Sequence, residues 1–290
     1  MSQKATYEKA LRIAAERLRA SGIDSAMWDA RMVLAHVLKV GHMDIPLQKE
    51  AGDLEEFDAL IARRAQREPL QHIVGTAPFG PLDLEVGEGV FIPRPETEML
   101  ADWAVNHLSR QHRRGVQPAP IVVDLCTGSG ALAAYIAHYR PDAHIVAVEL
   151  SDATLPFTSR NLAGTSVEIK QADVTSEKLL EVLSDLVGKV DLLVTNPPYV
   201  PEDPNLAPEV YFDPHDAVFS GDDGMDTIKA MLPNVLALLK PGGAVGIEHD
   251  DSTSNAVQEA AREAGLVNVS PLKDLGGTAR FVLAQAPGGG

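Results

Sequence analysis

The sequence predicts an α/β protein: a doubly wound, mostly parallel seven-stranded sheet, preceded by a small N-terminal helical bundle and a β-hairpin connector. Three observations predict it. From residue 121 onward, short apolar runs alternate with segments of helical periodicity, the pattern of a parallel sheet covered on both faces. Residues 1–73 carry helical periodicity alone. Between them, residues 74–90 are punctuated by Gly75, Pro78, Gly80, Pro81, Gly87 and Gly89, which reads as turns between short strands.

Taken in order, Tyr7, Leu11, Ala14, Ala15 and Leu18 recur at helical spacing and stop before Ser21 and Gly22. A second stripe runs through Met27, Ala30, Met32, Val33, Leu34, Val37 and Leu38 to Gly41. A third, with Leu54, Phe57, Leu60, Ile61 and Ala65, stops before Pro69. The bundle holds no metal spacing and no nucleophile constellation. In the connector, Leu82, Leu84 and Val86 alternate with Asp83 and Glu85 as a strand does. Next comes Phe91-Ile92-Pro93-Arg94-Pro95-Glu96-Thr97-Glu98. Pro95 suits the first turn of a helix, and Glu96 and Glu98 suit its positive N-terminal end. Leu100, Trp103 and Leu108 continue its apolar face, and the flanking prolines hold Arg94 in place.

A polar loop over 109–120 leads into the alternating region. Strands are expected over 121–126, 144–150, 167–172, 190–195, 244–248, 267–271 and 279–283. Helices are expected over 131–138, 153–162, 177–187, 225–239 and 253–264. The last two strands have no helix between them, so one strand runs antiparallel. Residues 286–290 read as a frayed tail.

A chain of 290 residues has room for two domains. Its net charge of −16 argues against a broad electrostatic grip on nucleic acid, so no direct DNA partner is expected. No apolar run approaches the ~18 residues of a membrane span, and residues 1–6 show no signal-peptide core. A single cysteine, Cys126, excludes an internal disulfide and fits a reducing cytosol. The expectation is a cytoplasmic monomer without a metal site.

Ligands on doubly wound sheets bind outside the carboxyl ends of the strands, where residues 124–130, Glu149, Asp173 and Asn196 fall. In Asp124-Leu125-Cys126-Thr127-Gly128-Ser129-Gly130, the two glycines let the backbone turn tightly and approach a ligand. With Ala133 the spacing also satisfies the loose dinucleotide pattern, and Glu149 stands where a ribose-binding acid belongs, so an NAD-type site is a rival on this loop alone. Asp124 weighs against it: a carboxylate suits an ammonium or sulfonium better than a pyrophosphate. Asn196-Pro197-Pro198-Tyr199 weighs against it too. Two prolines end strand pairing. What remains is the Asn196 side-chain oxygen, the Pro197 carbonyl and the Tyr199 ring, a set suited to a planar group bearing an NH2. Hydride transfer gives that corner no role, whereas S-adenosylmethionine has the required ammonium, sulfonium, ribose diol and adenine.

Residues 124–130 with Glu149 resemble the class I S-adenosylmethionine-dependent methyltransferases, whose sheet is Rossmann-like. Residues 196–199 resemble the subset that methylates planar amide or exocyclic nitrogens. Residues 91–98, the Asn196-Pro197-Pro198-Tyr199-Val200 run, and Phe212-Asp213-Pro214 leading to Ser220-Gly221-Asp222-Asp223-Gly224 together resemble the peptide chain release factor N5-glutamine methyltransferases. The likeness covers nearly the whole chain, including the joint over 69–75. The Asn-Pro-Pro-Tyr motif alone is shared with DNA adenine methyltransferases.

The resemblance implies methyl transfer to the glutamine amide of a release factor's Gly-Gly-Gln loop. It implies that Asp124, Cys126, Thr127, Gly128, Ser129 and Gly130 surround the methionine part of S-adenosylmethionine. Glu149 would bind the ribose, and Asp173 and Val174 would border the adenine. Asn196, Pro197, Pro198 and Tyr199 would hold the glutamine, with Asn196 also beside the cofactor and Arg94 on the substrate side. Residues 1–73 would dock the protein substrate, 74–90 would connect, and 91–290 would form the methyltransferase domain. Two positions depart from the family's pattern. Cys126 stands where glycine is usual, and Glu248-His249-Asp250 replaces Glu-His-Gly, so that corner receives no role. A ribosomal-protein glutamine methyltransferase is disfavoured by the intact residues 94–97. A DNA adenine-N6 methyltransferase is disfavoured by the lack of a basic surface and target-recognition region. A silent cofactor-binding scaffold is disfavoured by the complete motif at 196–199.

Overall fold

The computed structural model describes residues 6–113, 119–202 and 207–289. The chain forms two compact units, Met1–Thr76 with Leu206–Phe212, and Ala77–Asn205 with Asp213–Gly290.

The first unit is helical: α1 (Tyr7–Ala20), α2 (Ala26–Leu38), α3 (Glu55–Ala65) and α4 (Leu70–Val74). Thr6 caps α1 by accepting from the Lys9 N–H. Leu11, Ala15 and Leu18 meet Ala30, Val33 and Leu34 of α2 and Phe57 and Ile61 of α3 in one core. Met27, expected in the apolar stripe, is exposed, because the buried face of α2 is set by Ala26, Ala30, Val33 and Leu34. Five-residue α4, bounded by Pro69 and by Gly75 at a φ of 78°, is too short to announce itself by periodicity. The turn Pro208–Phe212 also belongs to this unit. Its Glu209 takes Arg67 at 2.7 Å and Arg64 at 3.4 Å, while Arg64 pairs with buried Asp29 at 2.7 Å.

The second unit begins at Ala77, within the hairpin formed by β1 (Thr76–Phe79) and β2 (Leu82–Glu85). The 3-10 turn Pro95–Thr97 leads into α5 (Glu98–Arg113), which runs on into the stretch expected to be loop; residues 114–118 of that loop lie outside the described residues. There follow β3 (Ile121–Leu125), α6 (Ala131–Tyr139), β4 (His144–Glu149), α7 (Leu155–Asn161), β5 (Glu168–Gln171), α8 (Lys178–Val182) and β6 (Val190–Thr195). After them come α9 (His215–Val218), α10 (Asp226–Leu238), β7 (Leu239–Glu248), α11 (Ser254–Glu263), β8 (Val267–Lys273) and β9 (Ala279–Gln285).

The seven-stranded sheet has the order β5-β4-β3-β6-β7-β9-β8, with β9 the antiparallel strand. Every position of β6 is buried, as expected where helices cover both faces. Val123, Leu125 and Leu193 pack with Met231 and Val235 on one face, while Val122, Leu192 and Val194 pack with Leu100 and Ile136 on the other. Two expectations at the C-terminal end are corrected. Strand β7 starts five residues early, through Pro241-Gly242-Gly243, with a register shift opposite β6. Ala286 is not frayed: it is buried, and its N–H donates to the Gly243 carbonyl at 2.9 Å. Among the described residues, no helix is long and apolar enough to cross a membrane, and no cluster could hold a metal ion.

Candidate active site

The sheet order places the site. Strand β3 lies centrally; the chain builds outward to β5, then returns to lay β6 against the other side of β3. That reversal is where doubly wound sheets open a crevice. Leu125 is level with Val148 and Thr195, so the loops after β3, β4 and β6 start at one height. A cavity of about 430 Å³ opens there, lined by Cys126, Glu149, Asp173 and Asn196 from four successive strand ends.

The loop after β3 turns through left-handed backbone at Cys126 (φ 57°), Gly128 (57°) and Gly130 (86°). A Cβ on Gly130 would meet Leu162 at 3.1 Å, and one on Gly128 would meet nothing within 4 Å, so the space above Gly128 is open. The Gly128 N–H donates to Glu149 Oε2 at 2.9 Å, and the Thr158 hydroxyl holds the Gly128 carbonyl at 2.7 Å. Glu149 Oε1 accepts from the Leu150 and Ser151 N–H groups at 3.0 and 2.9 Å. Three backbone donors therefore fix a carboxylate on the cavity wall, with Oε2, which carries only one of them, left able to accept from a ligand hydroxyl. After the neighbouring strand β5, Asp173 and Val174 line the wall beside Ala172, and Asp173 Oδ1 is held by the Thr175 N–H and hydroxyl.

Asp124 differs from its expected place. It is fully buried beneath the loop, off the cavity wall, and its Oδ2 accepts from the Thr127 hydroxyl at 2.6 Å and the Ala133 N–H at 3.1 Å. It thus caps the first turn of α6 and pins the loop to it. Burial pushes its carboxyl up to about 7, against the two hydrogen bonds that favour the charge. Burial, together with the Glu149 and Asp124 charges, also raises the Cys126 thiol well above its ordinary value, so it stays protonated.

The φ of Cys126 suits glycine better than cysteine: a side chain in left-handed backbone costs about 1–2 kcal/mol. Glycine's extra chain entropy, about 0.5–1 kcal/mol, offsets part of the relief. Cys126→Gly should therefore be neutral or stabilising by up to about 1 kcal/mol in denaturant unfolding. A loss exceeding that would mean that thiol packing outweighs the backbone strain.

At the end of β6, Asn196 and Pro198 line the cavity on either side of Pro197, while Tyr199 stands off the wall. The Tyr199 ring therefore does not face the cavity as expected. The Tyr199 and Val200 N–H groups both bond the Val218 carbonyl, which turns the chain away, and the Tyr199 hydroxyl donates to Glu248 Oε1 at 3.2 Å. The Asn196 Nδ2 donates to Thr97 Oγ1 at 3.4 Å, turning its Oδ1 away from Thr97. Arg94 also lies off the wall. It pairs with Asp213 at 2.6 Å and lies over the Phe91 ring, while Asp213 also accepts from the Ile92 N–H at 3.2 Å. The pair ties residues 91–94 to the segment whose Pro214 and His215 line the cavity. Thr97 and Glu248 were missed by sequence reasoning; the signal for Thr97 lay in residues 91–98, where a helix start explained it equally well.

The residues fit S-adenosylmethionine. Glu149 suits a ribose diol, the open backbone turn at 126–130 suits the methionine part, and the wall at 172–174 suits a flat heterocycle. The size is within the ordinary range for ligand cavities, roughly 300–1,000 Å³.

Comparison with known proteins agrees with this reading. The PrmC N-terminal domain model matches residues 9–75, and the methyltransferase small domain model matches residues 102–208. A release factor glutamine methyltransferase of Corynebacterium glutamicum is 52% identical over 97% of this chain and 99% of its own. One of Mycolicibacterium smegmatis is 46% identical over 95% of this chain and 96% of its own, and one of Mycobacterium tuberculosis is 42% identical over 97% and 91%. Likeness at that level, running through the helical unit and the cavity-lining strands alike, means that the chain belongs to the family of release factor glutamine methyltransferases.

Proposed function

We propose that this enzyme methylates N5 of the glutamine in the Gly-Gly-Gln loop of peptide chain release factors, in the cytoplasm, with S-adenosylmethionine as cofactor. The observation that carries the reading is that Glu149 and Asn196 open onto one cavity, so a diol-binding acid and an amide-binding corner share one space. The N-terminal helical unit docks the release factor, since a glutamine side chain alone is too common a group to select one protein.

When bound, S-adenosylmethionine supplies an electrophilic methyl group. The chain's own residues supply position. An amide nitrogen is a poor nucleophile because its lone pair is delocalised into the carbonyl. Asn196 Oδ1 and the Pro197 carbonyl accept its two hydrogens, hold it still and stabilise the charge that develops on nitrogen. The proton leaves after transfer, so the corner needs no strong base. Tyr199 acts from behind, bracing the corner through Glu248. Arg94 fixes the segment over 91–94 and meets the substrate side. Cys126, Thr127, Ser129 and Gly130 shape the loop, Asp124 holds it from below, and Asp173 and Val174 border the adenine.

Glu149→Ala removes the acceptor for the ribose and also releases the Gly128 N–H. Lost charge-assisted bonds cost ~1.5–3 kcal/mol, so cofactor affinity should fall at least about tenfold in calorimetry with the fold intact. Wild-type affinity would remove Glu149 from the site. The function itself is tested by labelled methyl transfer to purified release factor, ribosomal protein and DNA in parallel. Label in the release factor glutamine is expected; preferential label in either other acceptor overturns the assignment.

A further inference from the structure

Behind the amide corner stands a buried carboxylate with one oxygen unpartnered. Glu248 ends β7 next to β6, where Thr195 is level with Ile247, and is 2% exposed. A charge there is expensive unless hydrogen-bonded. Its Oε1 accepts from the Tyr199 hydroxyl at 3.2 Å, but its Oε2 has no partner. Thr97, 3% exposed, is near enough to the same carboxylate to favour its charged form, though no hydrogen bond joins the two in this structure. Thr97 Oγ1 in turn receives the Asn196 Nδ2 at 3.4 Å. A hydroxyl has one hydrogen to give.

We propose that Glu248 is a positioning residue for the methyl transfer. Its Oε2, unpartnered in this structure, is placed to take the Thr97 hydroxyl hydrogen, which would leave Thr97 able only to accept from Asn196 Nδ2 and so turn Asn196 Oδ1 toward the substrate amide. A carboxamide is otherwise free to flip, and its two ends are nearly equal in size. Flipped, Asn196 would set its oxygen against the Thr97 oxygen with no hydrogen between them, and present donors to a substrate NH2 that needs acceptors. The inference rests on the amide-clamp reading above and names the group that sets the clamp's polarity.

The relay depends on charge. Glu248 is surrounded by Thr97 and Glu96 ahead of α5, Tyr199 of the corner, and Arg280 of β9, itself paired with Asp274 at 2.9 Å. Neighbouring His249 is fully buried, and burial holds its imidazole below the usual value, so it adds no charge near neutrality. Burial raises the Glu248 carboxyl to about 7, with Thr97 and Tyr199 opposing it and Glu96 adding to it. Above that pH, Glu248 can only accept, and the order of donors is fixed. Below it, a protonated Glu248 can donate to Thr97, freeing the Thr97 hydrogen for Asn196 Oδ1, and both amide orientations become permissible. The rate should therefore rise as pH passes upward through about 7.

The test compares the full-length wild type with Glu248→Gln, Thr97→Val and Thr97→Ser in single-turnover methyl transfer from pH 6 to 9, with cofactor affinity by calorimetry. Glu248→Gln and Thr97→Val should slow transfer about ten- to a hundredfold, with cofactor Kd within about twofold. Thr97→Ser should stay within about threefold of wild type, and Glu248→Gln should lose the rise near neutrality. Glu248→Gln at wild-type rate overturns the proposal, and so does an unchanged pH profile. If that variant does not fold, the Thr97 pair decides, and equal rates for Val and Ser overturn it. Exchange of the Asn196 side-chain amide hydrogens, followed by NMR, needs no methyl acceptor. Slow exchange in wild type and faster exchange in Thr97→Val are expected, and identical exchange overturns the relay. That readout separates a failed positioning role from a failed substrate assignment.

Discussion

Asn196→Ala should lose about 10²–10³ in single-turnover methyl transfer, the effect typical of removing one preorganised hydrogen bond at a reacting centre. The substitution deletes one of the two acceptors that hold the substrate NH2. It also leaves Thr97 Oγ1 without the donor at 3.4 Å that now satisfies it. Cofactor affinity should change by no more than about threefold, because Glu149 and the 126–130 loop are held by their own backbone bonds. Asn196→Asp keeps an acceptor in place but loses the NH2 and adds a charge beside a partly buried corner, so its rate should fall between the two. The expected order is wild type, Asp, Ala. An Ala variant at the wild-type rate would falsify the amide clamp.

How far the site could be read from sequence follows from which residues act from strand ends. Glu149, Asp173 and Asn196 were legible because apolar runs locate the strands, and strand ends in a parallel sheet converge on one edge. Asp124 was misread because its spacing beside two glycines says nothing about which way it points. The structure turns it downward, where the α6 N–H groups need an acceptor. Tyr199 was misread for a similar reason: the chain leaves the wall after Pro198, and the Val218 carbonyl that draws it away lies in a different segment. Thr97 and Glu248 owe their meaning to each other and to Asn196, three positions that only the folded sheet brings together. The same holds for Glu209, whose tie to Arg64 and Arg67 joins the turn Pro208–Phe212 to the helices of its unit. Local pattern found the elements, and long-range side-chain partnership stayed hidden.

Gly224→Ala should cost at least about a hundredfold in transfer rate, although Gly224 lies off the cavity wall. Gly224 has a φ of +72°, and a Cβ built there would lie 2.2 Å from the Tyr199 carbonyl oxygen and 3.0 Å from its carbon. These are backbone atoms, so no side chain can swing aside to make room. The surrounding turn cannot retreat easily either. Ser220 N–H bonds the Val200 carbonyl at 3.0 Å, Met225 N–H bonds Asp223 Oδ1 at 3.0 Å, and the Ser220 hydroxyl takes the Thr227 N–H at 2.8 Å. Ordinary contact therefore requires the corner at 196–199 to shift by about 1 Å, a misplacement that can cost ~10² in rate. Left-handed backbone adds about 1–2 kcal/mol of instability for any L side chain. Gly188→Ala isolates that term: its φ is +70°, nothing lies within 4 Å of the built Cβ, and it is remote from the cavity wall. Both variants should lose similar backbone stability in denaturant unfolding, with Gly224→Ala losing more. Gly188→Ala should retain its transfer rate, and both should bind cofactor within about threefold of wild type. If Gly224→Ala transfers methyl as fast as Gly188→Ala, the position of the Tyr199 carbonyl does not govern the corner, and the packing of the 220–224 turn against it serves stability alone.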